Sequence, residues 1–183
     1  MRARQQLKKA VRAYFEAAEF SEAECGILQH SPGNETHIHA FSTTAFGPEG
    51  TETRLYLHTS PELACKKLLA AGEKRLYTLG AVFRNRDRGP LHAPEFTMLE
   101  WYRANSFYDA IMADTIVVIA RAAQATGIGQ FRFRGKVCDP FAEPELITVA
   151  DAFQRFAGVD LLTTIAGGAG RRAWIRLRWT ARR

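Results

Sequence analysis

The sequence predicts an α+β fold in which helices flank an antiparallel sheet. Two strand-like stretches, residues 75–84 and 95–103, follow one another across a short charged loop, as the arms of an antiparallel hairpin do. The stretches with helical spacing of apolar residues lie before and after this pair rather than between its arms. A doubly wound parallel sheet needs a crossover between successive strands, so the hairpin favours the α+β class.

The first half of the chain is predicted to hold a helix, a strand and a second helix. Apolar residues at helical spacing over 3–18 predict an amphipathic helix with one buried face. Residues 54–58 are typical of a short strand. Ser60 is a good cap for the helix that follows, and Pro61 suits its first position. This second helix should end near Gly72.

Two further helices are predicted after the hairpin. Ser106 and Asp109 form a capping-box-like start, and the apolar spacing after them supports a helix to about residue 125. Thr148 repeats the capping pattern, and Gly158 is the expected stop of that last helix.

The composition is that of a globular protein. The 183 residues are enough to bury the core of one domain. No apolar run approaches the roughly 20 residues of a membrane-spanning helix, and the charged N-terminus lacks the apolar core of a signal peptide. The three cysteines are odd in number and show no CxxC spacing, which predicts neither a disulfide framework nor a metal site and favours the cytoplasm.

The net charge of +6 is concentrated at one end of the chain. The last seventeen residues carry six arginines and no acid, so the remainder is neutral by formal count. The basic bias therefore belongs to the tail and is not spread over the body. Such a tail either contacts RNA or is a solvated end, and both alternatives stay open.

The hairpin carries the candidate chemistry. Strand side chains alternate between two faces, and the second strand places four residues on one of them: Phe96, Met98, Glu100 and Tyr102. Arg84 shares a face with Gly80 on the first strand, and in-register pairing brings Arg84 onto the same surface as Glu100. The glycine would leave space for a ligand on that surface.

These side chains suit two kinds of ligand group. An arginine binds phosphate or carboxylate through paired hydrogen bonds. A carboxylate and a tyrosine hydroxyl hold ammonium groups, and an exposed phenylalanine stacks on a flat ring. Together they describe a pocket for a nucleotide beside an amino-bearing small molecule. The alternative is that Arg84 and Glu100 are cross-strand partners at a sheet edge.

Three stretches resemble a known family. Residues 83–102, FRNRDRGPLHAPEFTMLEWY, are similar to motif 2 of class II aminoacyl-tRNA synthetases of the lysyl type. Residues 57–85 resemble the TSPE segment that precedes this motif, and residues 13–41 resemble the motif 1 region. The likeness covers roughly residues 5–160. The predicted helix over residues 3–18 leaves no room before it for an anticodon-binding domain. This favours the short paralogues, which ligate β-lysine to elongation factor P.

The resemblance implies a fold and a reaction. The family has a six- or seven-stranded antiparallel sheet and forms homodimers through motif 1. It uses ATP and Mg²⁺ to turn a lysine-type amino acid into an aminoacyl-adenylate, with release of pyrophosphate. The paralogues pass the aminoacyl group to a lysine of elongation factor P, whereas the synthetases pass it to tRNA, an acceptor that the neutral body of this chain disfavours.

The resemblance also implies an ATP-binding set. Arg84 would be the catalytic residue, holding the α-phosphate and the substrate carboxylate and stabilising the charge that develops at phosphorus. Asn85 and Arg86 follow it in the motif, His92 would approach the outer phosphates, and Phe96 would stack on adenine. The structural alternatives are a surface arginine, a solvated loop histidine and a core phenylalanine.

The amino-acid-binding set implied by the resemblance lies on both sides of the hairpin's polar face. Glu62 and Glu100 would bind the substrate ammonium, with Ser60 beside them, and Tyr102 would contact the distal amine. The alternatives are a helix-start carboxylate for Glu62, a core position for Tyr102 and a helix cap for Ser60.

The chain departs from the family pattern at several points. Arg86 stands where the family has an acid, with Asp87 one position later; Ala93 replaces an asparagine, and Gly26 a proline. Motif 3 and the acidic magnesium ligands are expected beyond residue 160, where this chain shows no likeness. We therefore expect residues 1–160 to be the N-terminal part of a catalytic domain and residues 161–183 an atypical basic tail.

An incomplete catalytic domain would have a cut sheet edge and exposed apolar surface. Catalysis by this chain would then need a second polypeptide, and whether the chain is itself an enzyme stays open. The other hypotheses are a lysyl-tRNA synthetase fragment and a non-catalytic module that binds a nucleotide or a partner.

Overall fold

The structure is a computed structural model that describes residues 1–166. The chain divides into two compact units, Met1–Phe141 and Ala142–Arg183. Most of the predicted basic tail, from residue 167 onward, lies outside the described residues, and the predicted boundary after residue 160 stays a prediction. Among the residues described, no helix is long and apolar enough to cross a membrane.

The first unit holds three helices and eight short or medium strands, and the part of the second unit up to residue 166 holds two helices. In chain order the elements are α1 (Arg2–Ala17), β1 (Ser21–Glu22), β2 (Leu28–Gln29), β3 (Phe41–Phe46), β4 (Glu52–Leu57), α2 (Glu62–Ala70), β5 (Arg75–Phe83), β6 (Glu95–Arg103), α3 (Tyr108–Thr126), β7 (Phe131–Phe133), β8 (Lys136–Cys138), α4 (Val149–Ala157) and α5 (Leu161–Ala166). This composition confirms the α+β class.

The strands form three sheets. The first has the order β1-β5-β6, the second β2-β4-β3, and β7 pairs with β8. All pairings are antiparallel except that of β1 with β5, which is parallel. The predicted hairpin is confirmed as β5 and β6, with Leu79 opposite Leu99 at its centre.

One face of the hairpin packs on the helices. Tyr77 of β5 joins Val11, Phe15 and Phe20 in a buried cluster, and its ring stacks on Phe15 at 4.6 Å between centroids. Leu99 and Trp101 of β6 pack against the same cluster. The buried stripe of α1 is the one that its apolar spacing predicts, and its packing leaves the opposite hairpin face turned away from α1.

The helix starts agree with prediction for α4, agree only in part for α2 and differ for α3. Thr148 caps α4 by accepting a hydrogen bond from Asp151 N at 3.1 Å. The Ser60 hydroxyl accepts from Glu62 N at 3.0 Å, although Pro61 occupies the cap position itself. The predicted cap of α3 is wrong, because Phe107 takes that position and no side chain caps this helix.

Candidate functional site

The face of the hairpin turned away from the helix core carries the predicted site. On this face Val82 lies opposite Phe96, Gly80 opposite Met98, and Thr78 opposite Glu100. The start of α2 contacts the same face, because Ser60 hydrogen-bonds to Glu100. The register therefore places the ATP-side residue Phe96 and the amino-acid-side residue Glu100 on one surface, with one residue pair between them.

Glu100 is the centre of a hydrogen-bonded group. The Ser60 hydroxyl donates to its Oε1 at 2.6 Å, and the Tyr102 hydroxyl donates to its Oε2 at 2.6 Å. All three side chains are partly buried. Each carboxylate oxygen keeps acceptor capacity beyond these bonds, so the group can hold an ammonium ion.

The Tyr102 hydroxyl stays protonated at neutral pH. Burial raises the pKa of its hydroxyl well above the ordinary value, and the hydrogen bond to the Glu100 carboxylate raises it further. The neutral hydroxyl is therefore a donor to Glu100 throughout the neutral pH range.

Glu62 lies at the first position of α2, close to Ser60 but turned to a different partner. Its carboxylate forms an ion pair with Lys66 at 2.5 Å, one helical turn further on. Both side chains are substantially exposed, so this pair is weak and easily exchanged for another cation. The structure thus brings Glu62 to the edge of the Glu100 group without a direct contact between the two carboxylates.

Arg84 follows β5 directly and is half-buried. Its Nε donates to the Thr59 carbonyl at 3.3 Å, and its guanidinium lies 5.4 Å from the centroid of the Phe96 ring. Within residues 1–166 no carboxylate lies within ion-pair distance of it. A partly buried guanidinium without an acidic partner is suited to bind an anion.

The geometry excludes the simpler alternative for Arg84. The cross-strand partner of Glu100 is Thr78, and Arg84 lies beyond the end of β5, where its backbone amide donates to Pro94. Arg84 and Glu100 are therefore not an ion pair across the hairpin. They belong to two separate groups on one face.

The loop between the strands holds the remaining ATP-side residues, and they do not converge. The Asn85 side chain accepts from Arg86 N at 2.9 Å, and its backbone amide donates to His39 at 2.7 Å. Arg86 is exposed with φ +69°. His92 is exposed as well, with its ring against Gly89, where a Cβ would come within 2.9 Å of Nδ1. The loop offers several positive groups but no closed pocket.

A cavity of about 530 Å³ lies beside Gly80. The sequence predicted space there, and a Cβ built on Gly80 meets no heavy atom within 4 Å. Its lining residues are Arg12, Glu22, Ala23, Glu24, Cys25, Ile27, His58, Pro61, Thr78, Leu79, Gly80, Ala81, Val82 and Met98. None of the nine predicted site residues is in this lining, so the cavity adjoins the predicted site without being formed by it.

Sequence reasoning missed the polar residues of this cavity, of which two are buried. His58 is 5% exposed and donates from Nε2 to the Ala81 carbonyl at 2.9 Å, while its Nδ1 has no partner within residues 1–166. The buried Thr78 hydroxyl likewise lacks a partner in that part of the chain. Unpaired buried polar atoms cost free energy. The one signal in the sequence was the position of His58, directly before the Thr59-Ser60-Pro61 segment.

The described residues suit ATP better than a metal ion. Arg84 offers a charge for a phosphate, and Phe96 offers a ring for a base. Across residues 1–166, by contrast, no group of three or more His, Cys, Asp or Glu side chains is placed to hold a metal ion. No step of the chemistry below is therefore assigned to magnesium.

The mixed sheet and its polar hairpin face define a class II synthetase-like core. Residues 1–165 match the family model described as tRNA synthetases class II (D, K and N). The chain belongs to this family.

Curated relatives include two kinds of ligase. The elongation factor P–(R)-β-lysine ligase of Vibrio cholerae is 40% identical over 113 residues, which cover 61% of this chain and 35% of that protein. The ligase of the same name from Pseudoalteromonas translucida is 34% identical over 85% of this chain and 43% of its own length. The lysine–tRNA ligase of Latilactobacillus sakei is 34% identical over 86% of this chain and 30% of its own length. The chain thus spans less than half the length of each of these relatives.

Proposed function

We propose that this chain carries the nucleotide- and amino-acid-binding part of a cytoplasmic ligase. The ligase activates lysine or (R)-β-lysine with ATP and transfers the aminoacyl group to elongation factor P. The observation that carries the proposal is the polar face of the hairpin. It holds the Glu100 group at one end and, at the other, Arg84, which has no acidic partner among residues 1–166. The names of the curated relatives support the choice of substrate and acceptor.

In the proposed reaction the substrate carboxylate attacks the α-phosphorus of ATP and pyrophosphate leaves. Arg84 binds both the carboxylate and the α-phosphate, which brings two anions together and stabilises the charge that grows between them. Glu100 holds a substrate ammonium, and the Tyr102 hydroxyl keeps the Glu100 carboxylate in place. Phe96 accepts the adenine ring when Arg84 turns from its face toward the phosphates.

The test combines nucleotide binding with ATP–pyrophosphate exchange. The folded chain is titrated calorimetrically with ATP and assayed for exchange with lysine and with (R)-β-lysine. We expect Arg84→Ala to weaken ATP binding by roughly 10- to 100-fold, the loss of a charge-assisted hydrogen bond. Arg54→Ala is the matched control, because Arg54 is exposed on β4 and lies outside the site.

Each outcome bears on the proposal. ATP binding that depends on Arg84, together with exchange, supports an activating ligase. ATP binding without exchange contradicts activation by this chain alone and favours a non-catalytic nucleotide-binding module. Equal affinities of the Arg84→Ala and Arg54→Ala variants for ATP would show that Arg84 does not contribute to ATP binding.

The second candidate function is aminoacylation of tRNA, which the lysine–tRNA ligase relative favours. The acceptor is identified by offering radiolabelled lysine or β-lysine, with ATP, to elongation factor P and to tRNA in parallel. Label on elongation factor P supports the first candidate, and label on tRNA alone supports the second. The homodimer expected from the motif 1 region stays a prediction.

A further inference from the structure

Two cysteines face each other beside the cavity. The sulfur of Cys25 lies 3.7 Å from the sulfur of Cys65, although the residues are 40 positions apart in sequence. Cys65 is fully buried on α2, whereas Cys25 is partly exposed and lines the cavity next to Gly80. The pair therefore has one thiol that solutes can reach and one that they cannot.

The backbone holds both cysteines in position. The amide of Cys65 donates to the Pro61 carbonyl at 2.9 Å in the first turn of α2. The segment that carries Cys25 is fixed on both sides, since Ala23 N donates to Tyr77 at 2.8 Å and His58 N donates to Ile27 at 3.0 Å. A disulfide bond is about 2.05 Å long, so the sulfurs need to approach by roughly 1.7 Å. Rotation about the Cα–Cβ bond moves a cysteine sulfur by distances of this order.

We propose that Cys25 and Cys65 form a reversible dithiol–disulfide site whose reactant is a low-molecular-weight disulfide entering through the cavity. This inference goes beyond the proposed ligase function and does not depend on it. The cavity of about 530 Å³ gives a small peptide disulfide, such as glutathione disulfide, access to the Cys25 sulfur.

The reaction consists of two exchanges. The Cys25 thiolate attacks the small disulfide, forms a mixed disulfide and releases one small thiolate. The Cys65 thiolate then attacks the Cys25 sulfur, closes the intramolecular bond and releases the second small thiolate. The two protons of the protein thiols pass to the two departing thiolates. Two protein thiols are thus oxidised to one disulfide while one small disulfide is reduced to two thiols.

The position of Cys65 suits the second role, because the Cys25 sulfur lies 3.7 Å from its own. Burial, followed by the neighbouring Cys25, raises the pKa of the Cys65 thiol to about 12, so its thiolate is scarce at neutral pH and the second exchange is the slower step. A buried thiol with a raised pKa is inert toward bulk oxidants, so the disulfide sulfur that it meets is that of Cys25. Cys25, which lines the cavity, is the group that meets the reactant first.

The test uses a Cys138→Ser variant, since Cys138 is exposed and is the third of the three cysteines. The folded variant is treated with glutathione disulfide and analysed by intact mass spectrometry. We expect a loss of two hydrogens, no retained glutathione, no alkylation by iodoacetamide and a melting temperature raised by several degrees. Dithiothreitol should reverse all of these changes.

Two further variants separate the roles in the Cys138→Ser background. Cys65→Ser should retain one glutathione on Cys25, and Cys25→Ser should stay unmodified because Cys65 is buried. Circular dichroism before and after oxidation verifies that each protein remains folded. A stable glutathione adduct on Cys25 with Cys65 still alkylatable after unfolding would overturn the proposal, as would two free thiols after treatment.

Discussion

At the residue scale, an ion pair joins α3 to β6. Both oxygens of Asp114 accept from the Arg103 guanidinium at 2.7 Å, and the Tyr14 hydroxyl of α1 donates to the same carboxylate at 2.6 Å. The side chains of Arg103 and Asp114 are only 15% and 4% exposed. Burial alone would raise the pKa of Asp114, but the hydrogen bonds from Arg103 and Tyr14 outweigh it and hold that pKa below its ordinary value.

Removing one partner of this pair should destabilise the fold strongly. We expect Asp114→Ala to lower the free energy of unfolding by about 3–5 kcal/mol, because Arg103 would be left buried and uncompensated. Urea denaturation measures the change. Glu19→Ala is the control, since its pair with Arg75 is exposed and should be worth less than about 1 kcal/mol. Similar losses of unfolding free energy in the two variants would show that burial does not make the Asp114–Arg103 pair more stabilising than an exposed pair.

Two tyrosines predict how stability depends on alkaline pH. Burial, followed by hydrogen bonds to Asp114 and Glu22 respectively, raises the pKa of Tyr14 and of Tyr77 to about 12. The folded state therefore keeps protons that the unfolded chain loses near pH 10. The two tyrosines therefore make their full contribution to stability below about pH 10, and this contribution is lost as the pH rises toward 12.

Urea denaturation between about pH 8 and pH 12 measures this loss. Tyr77→Phe should flatten the decline, because it removes one of the three partly buried hydroxyls with a raised pKa, those of Tyr14, Tyr77 and Tyr102. An unfolding free energy that does not change over this range would contradict the assignment of these pKa shifts.

At the scale of elements, two helix starts that look alike in sequence behave differently. Thr148 both accepts from Asp151 N and donates to the Asp151 carboxylate at 2.6 Å. Ser106 has the same kind of partner three residues on, yet α3 begins at Tyr108 with Phe107 in the cap position. A capping pattern indicates a possible start, and the surrounding chain decides whether the start is used.

This difference gives a paired prediction. Thr148→Ala should destabilise α4 by about 1 kcal/mol, seen as faster amide hydrogen exchange along that helix. Ser106→Ala should leave exchange in α3 unchanged, since no side chain caps that helix. The reverse result, with α3 sensitive and α4 insensitive, would show that the caps are misassigned.

The long elements were predictable from sequence because their periodicity extends over many residues. β6 has the predicted bounds, β5 ends one residue earlier than predicted, and α1 begins and ends one residue earlier than predicted. The strands β1, β2, β7 and β8 have two or three residues each. An alternation of apolar and polar residues cannot be recognised over so few positions. β3 was missed because four of its six residues are exposed and it lacks an apolar face.

The candidate site was predictable to the extent that it depends on one hairpin. Alternation alone placed Phe96, Glu100 and Tyr102 on one face, and the register confirms that they share it. The contacts of Ser60 with Glu100 and of Cys25 with Cys65 each join residues 40 positions apart. Such contacts depend on how α2 packs over the sheet, which neither local periodicity nor capping patterns contain.

At the scale of the whole molecule, β6 has an unpaired edge. It pairs only with β5 among residues 1–166, so one row of its backbone groups has no strand beside it there. The sequence predicted such a cut edge. An edge of nine residues is long enough to accept another strand.

Amide hydrogen exchange should show this edge directly. We expect alternate amides of β6 to be protected by β5 while those between them exchange quickly, because neighbouring amides of a strand point to opposite edges. The measurement is made at several protein concentrations. Uniform protection at the lowest concentration would contradict a free edge, whereas protection that grows with concentration would mean that a second chain pairs there.

The parallel pairing of β1 with β5 determines when the core can form. Glu22 and Tyr77 are 55 positions apart, and β2, β3, β4 and α2 all lie between them. During synthesis, α1 leaves the ribosome about 60 residues before Tyr77 does. At 5–20 residues per second, this delay lasts roughly 3–12 s. Throughout that interval the apolar stripe of α1, Phe15 included, has no sheet to cover it and is open to chaperones.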